Sequence, residues 1–506
     1  MPMKTLVQTT ERLARIGLAR LLAISYGLFM LEHEHNALVK ASIDRVSKSF
    51  CLAKWQQVTF HFHTGTTHSC HHPTPHKIDL EEAQKNPAAL HNTKFKIEQR
   101  KAMIAGERPK ECDYCWRIED AHKDNVSDRY LKSGFTWSFP YLKKVVENPT
   151  SETTVPTYVE MNLGNICNLK CSYCSPEFST KWMSEIVEHG PYPTSRRHQS
   201  LKHLNHMPLP AETQDKYFEA WWRWWPEIYS QLHTFRVTGG EPLLNKNLYK
   251  TFDWITQNKS IKNSNLVFGI NTNLSVDENQ WQKFVAYLRE IESQDLLKRV
   301  EIYTSAEAWG EACEYVRHGM NFQVWKIRVE YLLKTFQKLT VTIMSTYNAL
   351  SVTTFQQLLE YVYQLKTNPE LVSAYRPVPI LIDIAYLRHP RHQSLEILPK
   401  SFAKDIAAQL QYMKDRAGTR HADRDKARAG FLSSEIAKMQ RIYNWFISLP
   451  QSVETTILRK DFYAFFAEHD RRRGTDFLKT FSQFAPIWQR HSSWRRAFLS
   501  WLQPEL

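Results

Sequence analysis

The chain has 506 residues, enough for two or three domains around a large core, and its 42% hydrophobic and 13% aromatic content is that of a globular protein. No apolar run reaches the ~18 uncharged residues that a bilayer span requires. Residues 16–31 come nearest, but Arg20 interrupts them and Glu32-His-Glu34 follows, which predicts an amphipathic or interfacial helix rather than a signal peptide. The formal charge of +14 suits an acidic peptide, a phosphorylated small molecule or a nucleic acid, and by itself does not choose between them.

Residues 1–45 read as helical, and residues 46–135 carry a first cysteine set, Cys51, Cys70, Cys112 and Cys115. Cys51, Gly65 and Cys70 obey C-x13-G-x4-C, and Cys112-Asp-Tyr-Cys115 follows after a gap of 41 residues. Val58, Phe60 and Phe62 alternate with Thr59, His61 and His63, the pattern of one arm of a hairpin with Gly65 at its turn. The later cysteine pair would close the site from a helix-loop segment. Four thiolates saturate a cubane iron–sulfur cluster, and they also suit a structural zinc, which the nearby His68, His71, His72 and His76 keep open.

From 152 to 400, strands alternate with helices, which predicts an α/β domain. Tyr158–Asn162 reads as a strand and leads into Cys167, Cys171 and Cys174, spaced C-x3-C-x2-C. Tyr217–Trp225, with its run Trp221-Trp-Arg-Trp-Trp225, reads as a helix that packs tryptophans into a core and ends before Pro226, in preference to a base-stacking platform. The strand Phe235–Thr238 runs into Gly239-Gly240-Glu241-Pro242. The strands Leu266–Asn273 and Val300–Ser305 end in polar residues, and a helix over Glu314–Gly319 carries Arg317, with Cys313 before it as a buried packing residue. Lys338–Met344 and Pro379–Ile384 are further strands. Residues 401–506 are helical, with a basic loop at 414–428 and a basic run, Asp470-Arg-Arg-Arg-Gly474, that reads as a solvated face or a helix end.

Three thiolates on one loop can hold three irons of a cubane and leave the fourth open to a chelating molecule. This spacing, followed about 65 residues on by Gly239-Gly240-Glu241-Pro242, resembles the radical S-adenosylmethionine (SAM) superfamily. The resemblance implies a partial (β/α)6 barrel over 152–400 and a 4Fe-4S cluster on Cys167, Cys171 and Cys174. It also implies that SAM is chelated at the open iron and cleaved reductively to a 5'-deoxyadenosyl radical. On the same resemblance Gly239, Gly240, Glu241 and Pro242 receive the SAM ammonium, Tyr173 lies near the adenine, Ser305 and Asn273 contact SAM, and Arg317 meets its carboxylate. Asn273 as a turn former and Arg317 in a surface ion pair are the ordinary alternatives. The chain departs from the family pattern at Ala306-Glu-Ala-Trp-Gly310, where relatives carry Asp-Gly.

The first cysteine set resembles the twitch module, the shortened form of the SPASM extension, which holds an auxiliary 4Fe-4S cluster and here precedes the core instead of following it. The resemblance implies an electron-relay role, a reductant such as flavodoxin or ferredoxin, and a peptide or protein substrate. The runner-up is a small molecule or nucleotide, and a zinc-containing nucleic-acid-binding protein is the alternative of another class. Clustered cysteines in a long chain indicate a reducing cytoplasm and no disulfide framework.

Overall fold

A computed structural model of the chain describes residues 28–122, 124–195, 208–372, 376–418, 429–450 and 452–489. A helix spans Leu28–Val46, whereas residues 16–27 of the expected amphipathic helix lie outside the described residues. Lys414 and Asp415, expected in a loop, close the helix Ala403–Asp415, and residues 419–428 of that loop also lie outside the described residues.

In chain order the strands are β1 (Gln57–His61), β2 (Thr66–His68), β3 (His76–Lys77), β4 (Tyr158–Asn162), β5 (Lys170–Cys171), β6 (Thr234–Thr238), β7 (Asn263–Asn271), β8 (Leu297–Ser305), β9 (Arg317–His318), β10 (Leu339–Tyr347) and β11 (Ile380–Tyr386). Nine of them form one sheet in the order β11-β10-β8-β7-β6-β4-β1-β2-β3, while β5 and β9 make a separate two-stranded ribbon. From β4 through β11 the sheet is parallel, and helices connect successive strands.

The early hairpin is built differently from the expectation of one apolar and one polar face. β1 pairs parallel with β4, Val58 opposite Val159 and Phe60 opposite Met161, so the hairpin extends the main sheet. Thr59 and His63 are consequently buried along with Val58, Phe60 and Phe62. Gly65, with φ +66°, makes the turn that leads into β2.

Side chains alternate along the parallel strands, and the alternation gives the sheet two unlike faces. Val159, Met161, Phe235, Val237, Phe268, Ile270, Val300, Ile302, Val341 and Ile343 point to one face and are buried in the principal core. Pairing in register puts Glu160, Arg236, Gly269 and Glu301 in one row on the other face. There Tyr158, Glu160, Arg236, Asn271, Glu301 and Tyr303 are only half-buried. A parallel sheet covered on both faces would need near-continuous apolar strands, so this alternation leaves one face polar and accessible.

The helix Ala211–Gln231 packs on the apolar face. Trp221 and Trp225 are fully buried and Trp224 nearly so, with Trp221 against Phe60 and Trp225 against Phe235. This removes the run as a base-stacking platform. The helix does not end before Pro226 but runs through it for five more residues to Gln231. An interior proline costs about 3 kcal/mol, and burial of Ile228 and Tyr229 beyond it offsets that cost.

The helices Ser433–Ser448 and Val453–Arg473 contribute Met439, Ile442, Phe446, Leu458, Phe462 and Phe465 to this same core. A second core gathers Val39, Ile43, Phe50, Trp55, Met103, Trp116 and Tyr130 around Cys115. No helix among the described residues is long and apolar enough to cross a membrane.

Because Trp225 is enclosed by Tyr229, Phe235 and Trp254, Trp225→Ala should cost about 3–5 kcal/mol. The half-buried Trp222 should tolerate the same change with a loss of about 1 kcal/mol or less. Urea denaturation midpoints compare the two, and equal midpoints would contradict the packing described.

Candidate functional site

Cys167, Cys171 and Cys174 occupy the loop that follows β4. Cys171 is the second residue of β5 and pairs with Arg317 of β9. The Cys174 amide donates to the Cys171 carbonyl (2.9 Å) and the Cys167 amide to Thr180 Oγ1 (3.3 Å), so the loop curls around its thiols. Burial pushes the Cys167 thiol up to about 11, with Cys171 adding to the shift, and it raises Cys171 and Cys174 as well. A metal that binds here must displace protons and bring the positive charge the thiolates lack.

The Gly239-Gly240-Glu241-Pro242 turn lies against this loop. Gly240 N donates to Gly164 O and Glu241 N to Ile166 O, both at 2.7 Å. Gly239 has φ +121°, and a Cβ there would stand 2.6 Å from Gly164 O, so the approach of the two backbones requires glycine. Glu241 is buried and accepts from Leu243 N (2.9 Å), Thr272 Oγ1 (2.7 Å) and Asn273 N (2.6 Å). Burial lifts its pKa to about 7, against the pull of those donors. Pro242 opens the short turn Pro242–Leu244 that Glu241 caps.

Asn273 is a tie between segments. Its Nδ2 donates to Asn168 Oδ1 in the cysteine loop (2.9 Å), and its Oδ1 accepts from Ser275 N (2.7 Å). Ser305 ends β8 and is half-buried.

Arg317 lies beyond the helix Gly310–Val316, as its C-cap and the first residue of β9, where the sequence predicts it within a helix. It is also buried, which excludes a surface pair. Its Nη1 donates to the Tyr173 hydroxyl (2.7 Å) and to both oxygens of Glu307 (3.0 and 3.2 Å), and Tyr173 donates to Glu307 (2.7 Å). Arg317 Nε is buried without a hydrogen-bond partner. Glu307 sits in the stretch that departs from the family pattern, and that departure was its one signal. Cys313 is fully buried beside Met320.

A second arginine reaches Cys171 from the C-terminal helix. The side chain of Arg473, in the run expected to be solvated, is fully buried: Nη1 donates to Lys170 O (2.7 Å), Nε and Nη2 to the Glu185 carboxylate (3.1 Å each). Its guanidinium stands 4.7 Å from the centre of Trp182, whose indole N–H donates to Cys171 O (2.8 Å). Arg472 is buried over Tyr192, whose hydroxyl donates to Glu185 (2.6 Å). Arg471 is exposed, and Gly474, left-handed, caps the helix that the run ends, so this part of the expectation holds while Arg472 and Arg473 turn inward.

The other four cysteines come together around one partly open cavity. Cys51 precedes the turn Ala53–Gln56, Cys70 follows β2, Cys112 ends the turn Lys110–Cys112, and Cys115 lies in the first turn of Asp113–Ala121. Lys54, Arg129 and Lys132 line the same cavity. Burial works against the charge of Lys54, but Cys112 and Glu111 outweigh it and raise its pKa. Burial pushes Cys112 and Cys115 up to about 12. All four are free cysteines. Among the described residues no three His, Cys, Asp or Glu side chains close on a single-ion site.

Of the four histidines near Cys70, His72 lines this cavity and the others are held elsewhere. His68 bonds to His61 (3.0 Å) and to the Cys70 carbonyl, His72 bonds to Asp128 (2.7 Å) and stacks on Tyr114, and His76 bonds to Thr93 (2.8 Å). His71, next to Cys70, is within electrostatic reach of both Lys132 and the Glu160–Arg236 row. The Cys70 segment returns alongside the start of β1, whereas the Cys167 loop leaves the far end of β4. The polar face therefore lies between the two cysteine sites, whose strand β4 is about 16 Å long.

No family model matches the sequence, and no curated protein does. Among solved structures, Streptococcus suis SuiB bound to S-adenosylmethionine matches with TM-score 0.32 at 12% identity, over 71% of this chain and 67% of that one. SuiB by itself gives 0.33 at 12% over 76% and 71%, and SuiB bound to precursor peptide SuiA 0.30 at 11% over 71% and 66%. Scores of this size mark a weak likeness.

Glu185 supplies a pH-dependent test of the arginine contact. Arg473, Lys170 and Tyr192 outweigh burial and hold its pKa at about 2, below the usual 4.5. The stabilisation is complete above pH 4.5 and is lost as pH falls through about 2, a contribution of about 2–3 kcal/mol. Arg473→Met should lower stability at pH 7 and flatten the acid limb between about pH 4.5 and 2. An unchanged acid limb would show that Glu185 does not depend on Arg473.

Proposed function

We propose that the chain is a radical SAM enzyme acting on a peptide or protein. The observation that carries this reading is the C-x3-C-x2-C loop at the end of β4, joined backbone to backbone with the Gly239-Gly240 turn at the end of the adjacent parallel strand β6. Active sites of α/β barrels sit at such strand ends. On this reading residues 152–400 are a partial (β/α)6 barrel, 46–135 a twitch-like module and 401–506 a helical extension.

Cys167, Cys171 and Cys174 would hold a 4Fe-4S cluster with one iron open. When bound, cluster and SAM supply a 5'-deoxyadenosyl radical that abstracts hydrogen from substrate. The residues of the chain bind and orient. Glu241 Oε2, with Asn273 N as its donor, keeps a lone pair for an ammonium. Arg317 Nε, buried and unpartnered, suits the carboxylate, while its Nη1 is held by Glu307 and Tyr173. Ser305 and Asn273 stand at neighbouring strand ends for the remaining contacts.

Cys51, Cys70, Cys112 and Cys115 would hold a second cluster. Four thiols spread around a cavity with three cations favour a cluster over a single zinc. Saturated by thiolates, it would relay electrons, with reduction by a flavodoxin or ferredoxin in the cytoplasm. A small-molecule or nucleotide substrate is the second reading. The nucleic-acid-binding reading has lost its stacking platform, since Trp221, Trp224 and Trp225 are buried.

Anaerobic reconstitution should give about eight iron and eight sulfide per chain. Cys167, Cys171 and Cys174 changed together to Ala should halve both and abolish SAM cleavage. Cys112→Ala with Cys115→Ala should also halve the iron yet keep part of the reductive SAM cleavage. Zinc without iron would sink the proposal.

Arg317→Ala should weaken SAM binding roughly tenfold or more without loss of iron. Because that change also strands buried Glu307, Arg317→Lys is its companion: it keeps a charge for Glu307 and lacks Nε. A lysine variant that binds SAM as tightly as the parent would place the carboxylate elsewhere. Titration of the cluster spectrum with SAM measures both.

A further inference from the structure

The polar face between the two cysteine sites carries a preorganised guanidinium. Arg236, midway along β6, donates from Nε to Asn271 Oδ1 (2.9 Å), and its guanidinium lies 4.1 Å from the centre of the Tyr303 ring. Gly269, in register between Arg236 and Glu301, makes this possible. A Cβ at Gly269 would stand 3.2 Å from Tyr303 and 3.3 Å from Arg236, so its absence lets the two side chains close over β7.

Arg236 has no carboxylate within ion-pair distance among the described residues, although it is half-buried. Glu301 is taken by Arg299 (2.7 Å to Nε) and by the Tyr303 hydroxyl (2.6 Å). Glu160, in register on β4, makes only a long contact with Tyr158 (3.4 Å). The Tyr158 hydroxyl lies between them, hydrogen-bonded to Arg236 and in that long contact with Glu160, so a guanidinium and a carboxylate stand on adjacent strands without a direct ion pair.

We infer that Arg236 anchors a carboxylate of the substrate, that Glu160 accepts from an N–H of the same segment, and that the substrate is a peptide presenting a carboxylate to this face. The inference rests on the radical SAM reading for its location, because only that reading makes this face the path between two clusters. A guanidinium fork fits carboxylate and phosphate alike. Glu160, the carboxylate here without an ion-pair partner, decides between them, because it repels a dianion more strongly than a single negative charge. The carboxylate has two sources, an acidic side chain or a free C-terminus.

The test uses the full reconstituted chain and fluorescein-labelled heptapeptides of Gly and Ser, read by polarisation. One probe has a central Glu and an amidated end, one Gln and an amidated end, one Gln and a free C-terminus, and one phosphoserine. The Glu probe, the free C-terminus or both should bind about tenfold tighter than the amidated Gln probe, and which of the two does so names the source. Arg236→Gln should erase the preference, while Arg289→Gln, which removes the same charge from an exposed helix position, should keep it.

Equal binding of all probes, a preference that survives in Arg236→Gln, or phosphoserine binding tightest would overturn the assignment. A fall in SAM affinity in Arg236→Gln with no peptide preference in the parent would give the arginine to SAM instead. Iron and sulfide counts on the same samples judge the parent reading separately. A chain without clusters that still prefers the carboxylate probe keeps the anion site and loses the radical chemistry.

Discussion

A buried cysteine thiol can give up its proton only where positive charge is brought to it, and that requirement connects the distant parts of this chain. Cys171 is flanked by Arg317, its backbone partner across the β5–β9 ribbon, and by Arg473 from the C-terminal helix. Each arginine is itself buried and needs its own acid, Glu307 for one and Glu185 for the other. The four-cysteine cavity follows the same logic with Lys54, Arg129 and Lys132. Removing one member of such a set strands the rest in a medium where unpaired charge costs several kcal/mol. The charged groups therefore act as units, and the helical C-terminal region belongs to the cysteine loop as much as the strands of the parallel sheet do.

The second organising feature is the unequal treatment of the two sheet faces. Aromatic and branched residues close the outer face against helices, with the tryptophans of Ala211–Gln231 at the centre. The inner row of Glu160, Arg236, Asn271, Glu301 and Tyr303 stays half-open. β1 extends this arrangement, because its parallel pairing with β4 brings the hairpin that precedes Cys70 alongside the strands of the parallel sheet. One sheet thereby spaces the two cysteine sites at opposite ends of the same pair of strands, with polar side chains between them.

Much of this was legible locally. The strand-forming runs read at 158–162, 235–238, 266–273, 300–305, 338–344 and 379–384 fall on β4, β6, β7, β8, β10 and β11, because β-branched and aromatic residues bounded by turn formers favour extended chain locally. The cysteine spacing and the glycine pair were equally plain, since a tight loop and a close backbone approach restrict residue type at fixed offsets. The chemistry proposed for Cys167, Cys171 and Cys174 follows from those offsets. The cavity shared by Cys51, Cys70, Cys112 and Cys115 adds a geometry that spacing alone leaves undetermined, because 41 residues separate the last pair from the first.

What only the tertiary structure decided is the set of partners across long separations. Arg473 meets Lys170 from 303 residues away, Arg317 leaves its helix to pair with Cys171, and the helix around Trp225 passes through Pro226 because burial beyond the proline outweighs its local penalty. Glu307 became visible only as the acid beneath Arg317. Sequence determines whatever a residue does with neighbours a few positions away: alternation, turns, ligand spacing. Burial and ion pairing depend on which distant segment arrives, and the same Arg-Arg-Arg run is a solvated helix end or a buried anchor according to what packs against it.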